Sequence, residues 1–391
     1  MRDTTIRNVV GRRVWTAAGM PALEAEVHLA CGARGGAIAS PISGAWSTAQ
    51  PPASAVSTVN GLLAAALHGI DARRQEDVDS TLFKLAVVGD EAITRAALAA
   101  CSIAAAQAAA RAAGVPLFRY LHPGTPVRMP LPAVDIVADA SPASPFRALM
   151  LLPFAADGVD EALALSLAVH RVVAEQFGAR PIVDERAVEM LFAAIEQCGF
   201  VAAEEVGIAV DVGASRLYRD GRYVCGETAH DPAEWAERLV RLVDHYPIAS
   251  LEDPFAEVGS LSGFTPRVDE RARVVGNHLF ASDAERIAAA AADGLASGVV
   301  LRPEAAGTLS ELRVAFDAAR IASWPVFLAG DASIEDTSLV HLATAWQSGY
   351  LKLGGVGRGS LARWNELIRI EAELRPSPSL LHLEAAARLV H

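Results

Sequence analysis

A short apolar run followed by a polar residue recurs through the second two-thirds of this 391-residue chain, and the repeat restricts the possible folds more than any other feature. The runs lie at residues 181–183, 207–210, 248–251, 274–276, 298–301, 325–328 and 349–351. The polar residues that follow them are 21 to 41 positions apart, which is room for a strand, a helix and two loops. The spacing predicts a parallel βα repeat, and residues 131–391 suffice for one eight-stranded barrel.

The first third of the chain follows a different pattern, which indicates a small α+β domain. Residues 23–29 alternate apolar and polar side chains, as a half-buried strand does. A loop rich in Ser, Gly and Pro covers residues 40–54 and is too long for a simple turn, so it is either disordered or a mobile functional lid. Helical patterns follow over residues 55–113. Prolines 130 and 132 indicate a boundary there, which gives domains 1–130 and 131–391.

Composition and charge argue against several functional classes. The net charge of −12 argues against a nucleic-acid partner, which needs a basic protein face. The alanine-rich stretch at residues 96–110 is shorter than the roughly 20 residues of a membrane helix, so we predict a buried helix and no membrane partner. The four cysteines are far apart and no signal peptide is recognisable, which favours a reduced, cytoplasmic setting.

Polar residues at the predicted strand ends should meet at one mouth of the barrel, where such folds carry their chemistry. Asp211, Glu252 and Asn277 offer two carboxylates and an amide, which are the hard oxygen ligands that Mg²⁺ accepts. Lys352 and Arg302 bring positive charge from other strands. We expect a Mg²⁺ ion between these acids and cations to hold the carboxylate of a substrate. The same ion would stabilise an enolate that forms beside that carboxylate. The alternative is a salt-bridge network that only closes the barrel mouth.

Three further features near the mouth carry weaker signals. Lys352 is one of only two lysines among 34 basic residues, which reflects either a role that arginine does not fill or chance. The glycine-rich loop at residues 354–359 either cradles an anion or only turns tightly. His278 follows a predicted strand, so it is either a proton carrier or a hydrogen-bonded spacer.

Ordered motifs along nearly the whole chain resemble those of the enolase family. They are GMPALE at residues 19–24, an alanine-rich helix and its exit between residues 88 and 121, DVGAS at 211–215, LEDPF at 251–255, GTLSE at 307–311 and NELIRIE at 365–371. The resemblance implies an α/β fold in which a small N-terminal α+β domain precedes an enolase-type TIM barrel. It also implies that the protein is a homodimer.

The same resemblance implies roles for individual positions. Enolases dehydrate 2-phosphoglycerate with the help of two Mg²⁺ ions that stabilise an enolate. Asp211 and Glu252 match two of the metal ligands, and Asn277 takes the place of the third, which is an aspartate in the family. Glu185 matches the acid that helps the hydroxyl group leave, and Lys352 matches a lysine that contacts the substrate.

The sequence departs from the family where the phosphate-dependent reaction needs specific groups. The base lysine falls on Arg302, and a phosphate-binding run falls on residues 328–331, which end in Asp331. An acid at this substrate-binding position repels a phosphate dianion, so we expect 2-phosphoglycerate binding to be lost. A Gln-Glu pair of the family falls on Arg147 and Ala148.

Two hypotheses follow from these matches and departures. The first is a divergent lyase that uses one Mg²⁺ to stabilise the enolate of a different small carboxylate, with Arg302, His278 or Lys352 handling protons and charge. Ser43 belongs to the remnant of the family's substrate-closing loop and would contact that substrate. The second is a catalytically inactive enolase fold that serves as a binding or scaffold module.

Overall fold

The computed structural model describes residues 2–40, 53–86, 91–122, 124, 127–138, 144–177, 185–356 and 359–374. Within these residues, a three-stranded antiparallel sheet with its helices precedes a closed barrel of eight strands. The predicted fold class, an α/β chain with a barrel after a small α+β domain, is therefore confirmed.

The N-terminal sheet consists of β1 (Ile6–Trp15), β2 (Pro21–Leu29) and β3 (Arg34–Ala39), paired in that order. β2 contains the alternating segment predicted from the sequence, and every second residue along most of it is buried. Such alternation places the apolar side chains on one face of the sheet, where the helices that follow can cover them.

The helices of this part follow the sheet in the chain. They are α1 (Ala53–Thr58), α2 (Ala64–Leu67), α3 (Gln75–Lys84), α4 (Glu91–Ala113) and α5 (Leu117–Leu121), with a π-helical turn at Val59–Leu63 between the first two. They cover the region in which the sequence predicts helices. The predicted loop at residues 40–54 lies almost wholly outside the described residues, so its role as a lid stays a prediction.

Helix α4 is the alanine-rich core helix of this part. Thr94–Ala113 is long and apolar enough to cross a membrane by composition alone, but 83% of its most apolar stretch is buried inside the protein. Its close contact with β3 depends on Gly35, because an added Cβ atom would lie 2.2 Å from the backbone nitrogen of Ala108 and 2.3 Å from the carbonyl oxygen of Ala104. The helix therefore packs as part of the core, as the sequence predicts.

Strands and helices then alternate through the rest of the chain. In order, they are β4 (Leu131–Ala138), β5 (Ala148–Leu152), α6 (Val159–Phe177), α7 (Arg186–Gln197), β6 (Gly207–Asp211), β7 (Tyr218–Arg219), β8 (Arg222–Cys225), β9 (Thr228–His230), α8 (Pro232–His245), β10 (Ile248–Glu252), α9 (Thr265–Val268), β11 (Arg273–Gly276), α10 (Ala284–Ala292), β12 (Gly298–Leu301), α11 (Pro303–Ala306), α12 (Leu309–Ile321), β13 (Val326–Leu328), α13 (Ser338–Trp346), β14 (Tyr350–Gly355) and α14 (Leu361–Leu374). The first barrel strand begins at Leu131, while the domain boundary at residue 130 stays a prediction.

Eight of the described strands close the barrel in the order β10-β11-β12-β13-β14-β4-β5-β6. β7, β8 and β9 form a separate small antiparallel sheet. Six of the predicted apolar runs are confirmed as strands, namely β6 and β10 to β14. The predicted run at residues 181–183 lies outside the described residues.

Strand β5 departs from the all-parallel barrel that the repeat predicts. It pairs antiparallel with both β4 and β6, whereas the other neighbouring barrel strands pair parallel. Residues 139–147, which separate β4 from β5, are too few for a helical crossover, so the chain turns back. The amino end of β5 therefore lies at the mouth, where Ala148 pairs with Asp211 at the end of β6.

A buried carboxylate joins the N-terminal helices to the barrel. Asp79 on α3 is 2% exposed and accepts hydrogen bonds from the Ser102 hydroxyl at 2.6 Å and from Gln75 Nε2 at 2.9 Å. It also accepts two from Ser310, from the backbone nitrogen at 2.9 Å and from the hydroxyl at 2.7 Å. Ser310 lies in the first turn of α12, so this network fixes α3 and α4 against a loop of the barrel mouth.

Candidate active site

Four side chains that the sequence predicts at strand ends converge at the barrel mouth. Asp211 ends β6 and Glu252 ends β10, and the register of these strands pairs them directly. The Nζ atom of Lys352 on β14 lies 2.8 Å from Glu252 Oε2 and 3.3 Å from Asp211 Oδ2. Asn277, just after β11, donates from Nδ2 to Glu252 Oε1 at 2.8 Å. The strands thus bring these groups together, while their functional roles stay predictions.

Arg147 joins this cluster from the amino end of β5, and the strand-end pattern misses it. Its backbone nitrogen donates to the Asp211 carbonyl oxygen at 2.7 Å. Its guanidinium donates to Asp211 Oδ2 from Nη2 at 2.5 Å and from Nε at 3.0 Å, and Nη2 lies 3.5 Å from Glu252 Oε1. The guanidinium therefore bridges the two carboxylates. The sequence does contain a signal for Arg147, because this cation stands where the family resemblance implies the first residue of a Gln-Glu pair.

Gly213 leaves room for this arrangement. Its φ of +53° lies in the left-handed region, which disfavours residues with a Cβ atom. An added Cβ would lie 3.4 Å from Asp211 Oδ1 and 3.6 Å from the Cδ atom of Arg147. An added methyl group would therefore touch both members of the ion pair at ordinary contact distance.

The charges in the cluster fix its protonation. Burial opposes ionisation of Asp211, but Lys352 and then Arg147 outweigh it and hold its pKa below the usual value. Burial also opposes the charge on Lys352, but Glu252 and then Asp211 raise its pKa, so it stays an ammonium group. Asp211 chiefly raises the pKa of Arg147. Lys352 and Arg147 are thus fixed cations, and a proton-accepting role for Lys352 finds no support in this environment.

Asp253, next to Glu252, orients the loop after β11. Its backbone has φ +44°, a left-handed conformation that costs a non-glycine residue about 1 kcal/mol or more. This conformation turns the carboxylate toward the backbone nitrogens of Asn277 and His278, which donate to it at 2.8 Å each. Burial, followed by the charge of Glu252, raises its pKa to about 7. The loop that carries Asn277 and His278 is therefore held by a carboxyl group that titrates near neutrality.

His278 lies at the rim of the mouth. Its Nε2 atom is 3.4 Å from Nη1 of Arg147. Partial desolvation, together with the positive charges of Arg147 and Arg302, lowers its pKa to about 4. At neutral pH the imidazole is therefore uncharged and has a nitrogen lone pair that can accept a proton.

Arg302 is the cation of the mouth that lacks an acid partner. It follows β12 as the N-cap residue of α11, and its backbone nitrogen donates to the Ser282 hydroxyl at 2.9 Å. Its Nε atom is buried without a hydrogen-bond partner, and no acid pairs with its guanidinium within the described ranges. An unpaired, partly buried guanidinium is costly unless an anion binds to it.

Two predicted site residues are engaged elsewhere. Asp331 accepts a hydrogen bond from the Ser40 hydroxyl at 2.8 Å, and it accepts two from Ser333, at 2.8 and 2.6 Å. It therefore ties the end of β3 to the loop after β13 rather than presenting free oxygens to a substrate. Glu185 pairs with Arg238 on α8, so the described contacts do not bring it to the Asp211 cluster. Ser43 lies outside the described residues.

The sequence predicts Mg²⁺ at Asp211, Glu252 and Asn277, but the arrangement of the side chains does not fit a divalent cation. Arg147 and Lys352 already neutralise the two acids, and Asn277 turns its amide NH₂ group toward Glu252. Of the carboxylate oxygens of these two acids, Asp211 Oδ1 alone is buried without a partner among the residues that the structure describes. In the same ranges, no three His, Cys, Asp or Glu side chains are grouped as metal ligands.

A barrel with one reversed strand, two acids and a lysine at its mouth, behind a small α+β domain, defines the class of enolase-type barrel proteins. The family model described as Enolase, C-terminal TIM barrel domain matches residues 126–380, and the one described as Enolase, N-terminal domain matches residues 46–121. The chain therefore belongs to the enolase family, as its motifs predict. Members of this family are hydro-lyases that typically use Mg²⁺ and are typically dimeric.

Proposed function

We propose that the barrel mouth binds a small carboxylate and that the protein is a carbon–oxygen lyase with a substrate other than 2-phosphoglycerate. The observation that carries this proposal is the guanidinium of Arg302, which lacks an acid partner and has a buried, unpaired Nε atom in the described structure. A planar guanidinium binds a carboxylate through two parallel hydrogen bonds. The charge of Arg302 acts on Glu304 and Asp331 without an ion pair to either, so the hydrogen-bonded partner that we propose for the guanidinium is the acid group of a ligand.

The other residues of the mouth support removal of a proton next to that carboxylate. His278 is uncharged at neutral pH, and a carboxylate bound to Arg302 would offset one of the charges that lower its pKa to about 4, so it is the proposed proton acceptor. The fixed charges of Lys352 and Arg147 lie beside it and would stabilise the negative charge of the resulting enolate. The carbon–oxygen bond of the neighbouring hydroxyl would then break, and that hydroxyl would leave as water with the proton that His278 has taken, which returns His278 to its uncharged form. No metal is needed for these steps, and Glu185 has no part in them.

The substrate is not expected to carry a phosphate group at the position of Asp331. Burial opposes its ionisation, but the hydrogen bonds from Ser333 and Ser40 lower its pKa, so Asp331 is ionised at neutral pH. A carboxylate in this place repels a phosphate dianion. This supports a substrate with fewer negative charges than 2-phosphoglycerate.

A second candidate, a catalytically inactive binding module, is supported by the network around Asp211 and Glu252. Arg147 and Lys352 neutralise both acids, as in the salt-bridge network that the sequence analysis offers as an alternative. In either case we propose a homodimer in the cytoplasm, on the basis of the family's usual assembly and the free state of the four cysteines.

The test measures deuterium exchange and thermal protection with a panel of 2-hydroxy and 3-hydroxy carboxylates. We expect at least one acid to raise the melting temperature of the native protein and to exchange the hydrogen next to its carboxylate in D₂O, as followed by NMR. Arg302→Gln should lose the protection, and His278→Ala should lose the exchange. Arg320→Gln is the control, because Arg320 is exposed on α12 and lies 4.0 Å from Asp317.

Each result of this test favours one reading. Protection by an acid without exchange would favour the inactive binding module. Neither protection nor exchange with any acid in the panel would end the proposal of a carboxylate site. Exchange that survives in His278→Ala would remove this histidine from the mechanism while leaving the lyase in place.

A further inference from the structure

The guanidinium of Arg147 is held in the mouth by both its backbone and its side chain. The backbone nitrogen binds the carbonyl oxygen of Asp211, and two guanidinium nitrogens bind Oδ2 of the same residue. These contacts close a ring between Arg147 and Asp211, and Gly213 leaves the space in which the arm of Arg147 lies. A side chain fixed in this way loses little further conformational freedom when a ligand binds.

The guanidinium of Arg147 lies where a metal cation bound by both Asp211 and Glu252 would lie. Nη2 lies 2.5 Å from Asp211 Oδ2 and 3.5 Å from Glu252 Oε1, so one nitrogen sits between the two acids. Lys352 contacts the same pair from β14. Asp211 and Glu252 are each paired with a permanent cation, and although Asp135 and Asp253 add acid nearby, a dication placed beside Arg147 would be repelled by its guanidinium.

We propose that Arg147 takes the place of a divalent cation between Asp211 and Glu252, so that this mouth binds its carboxylate ligand without metal. In this proposal, no metal is required because Arg147 supplies the positive charge between Asp211 and Glu252. The identity of the ligand as a small carboxylate rests on the proposed function above, whereas the replacement of the cation does not.

The experiment measures binding of MgCl₂ and MnCl₂ to the full chain, first stripped of metal with EDTA, by thermal shift and by Mn²⁺ electron paramagnetic resonance. The native protein should show no saturable effect of either ion. Arg147→Gln removes the guanidinium and leaves Asp211 and Glu252 with one cation, so it should bind Mn²⁺ more tightly than the native protein by at least roughly tenfold. Arg147→Lys keeps the charge and is the matched control, which should resemble the native protein.

A further variant locates the gained site. Adding Asp211→Asn to Arg147→Gln should remove the gained Mn²⁺ binding, because an acid that would bind the ion is lost. This result excludes binding at a distant acidic patch on the surface of this acidic protein.

Three results would overturn the proposal. They are saturable Mg²⁺ or Mn²⁺ binding by the native protein at this mouth, equal gains in Arg147→Gln and Arg147→Lys, and no gain in a folded Arg147→Gln protein. If Arg147→Gln does not fold, the first of these measurements still decides the matter on the native chain. Failure of every carboxylate to bind would refute the proposed function alone, since these metal titrations use no organic ligand.

Discussion

Replacing Asp79 with alanine should loosen the joint between the N-terminal helices and the barrel. The four hydrogen bonds to this carboxylate each contribute about 1 kcal/mol net, and more where the donor is fully buried, as Ser102 is. Gln75 and Ser310 border an open groove of about 680 Å³, so water can replace part of their bonds in the variant. We therefore expect a loss of about 3 kcal/mol in the free energy of unfolding.

The assay is urea unfolding followed by tryptophan fluorescence, with melting temperatures in parallel. A loss of about 3 kcal/mol corresponds to a fall of about 4 °C for a chain of this size. Asp77→Ala is the matched control on the same helix, because the Asp77 side chain is 45% exposed and its ion pair in the described residues is with Arg74, one turn away. This control should lose about 0.5 kcal/mol or less.

The dependence of stability on pH provides an independent check. Burial outweighs the hydrogen bonds and raises the pKa of Asp79 above its usual value of 3.8, so the folded state binds its proton more tightly than the unfolded state. Stability must then rise as pH falls from the raised pKa toward 3.8, and Asp79→Asn should lack this rise. The reasoning is refuted if Asp79→Ala costs no more than Asp77→Ala, or if Asp79→Asn keeps the rise.

Three further predictions, two of them with a matched control variant, test other parts of the structure. Gly35→Ala should unfold the N-terminal part or lower the melting temperature sharply, because its Cβ would overlap the backbone of α4, whereas Gly36→Ala, with its nearest atom at 3.7 Å, should be tolerated. Gly213→Ala and Gly221→Ala should each cost about 1 kcal/mol for the left-handed backbone, measured by urea unfolding, and Gly213→Ala should keep carboxylate protection, because its Cβ lies 3.4 Å or more from every neighbouring atom. Lys352→Gln leaves Asp211 and Glu252 with one cation fewer and should cost about 3 kcal/mol at pH 7, measured by urea unfolding, and a loss no larger than that of Asp77→Ala would count against it.

The sequence predicts the barrel well where a strand is followed by a helix and poorly where it is not. The apolar runs that form β6 and β10 to β14 are each followed in the sequence by a polar residue within three positions and later by a helix, which is the signal on which the prediction depends. β4 follows Pro130 and contains Pro132, which indicate a domain boundary rather than a strand, and β5 is a short apolar segment separated from β4 by only residues 139–147. The repeat therefore predicts parallel strands and misses the hairpin that opens the barrel.

The residues of the candidate site are also predicted well where they follow a parallel strand and are missed where they do not. Asp211, Glu252, Asn277 and Lys352 were predicted together because the carboxyl ends of parallel strands meet at one mouth. Arg147 was missed because it precedes its strand.

Glu185 and Asp331 have partners that the match to the family does not predict, and their predicted roles stay predictions. Matching positions to a family cannot show that Arg238 binds the first, or that Ser40 and Ser333 bind the second. Such partners come from distant segments and are visible only in the folded chain.

Because β5 runs in the reverse direction, the choice of residue at the mouth does not depend on the packing of a following helix, although the two are usually coupled in barrels. In a parallel strand, a residue at the mouth ends an element that a helix must follow, so changing it also affects the packing of that helix. Arg147 instead ends the short connection at residues 139–147, between two strands that are direct neighbours. The charge facing Asp211 can therefore change during evolution, or in redesign, through this connection alone, while the strands and helices that stabilise the barrel keep their sequences.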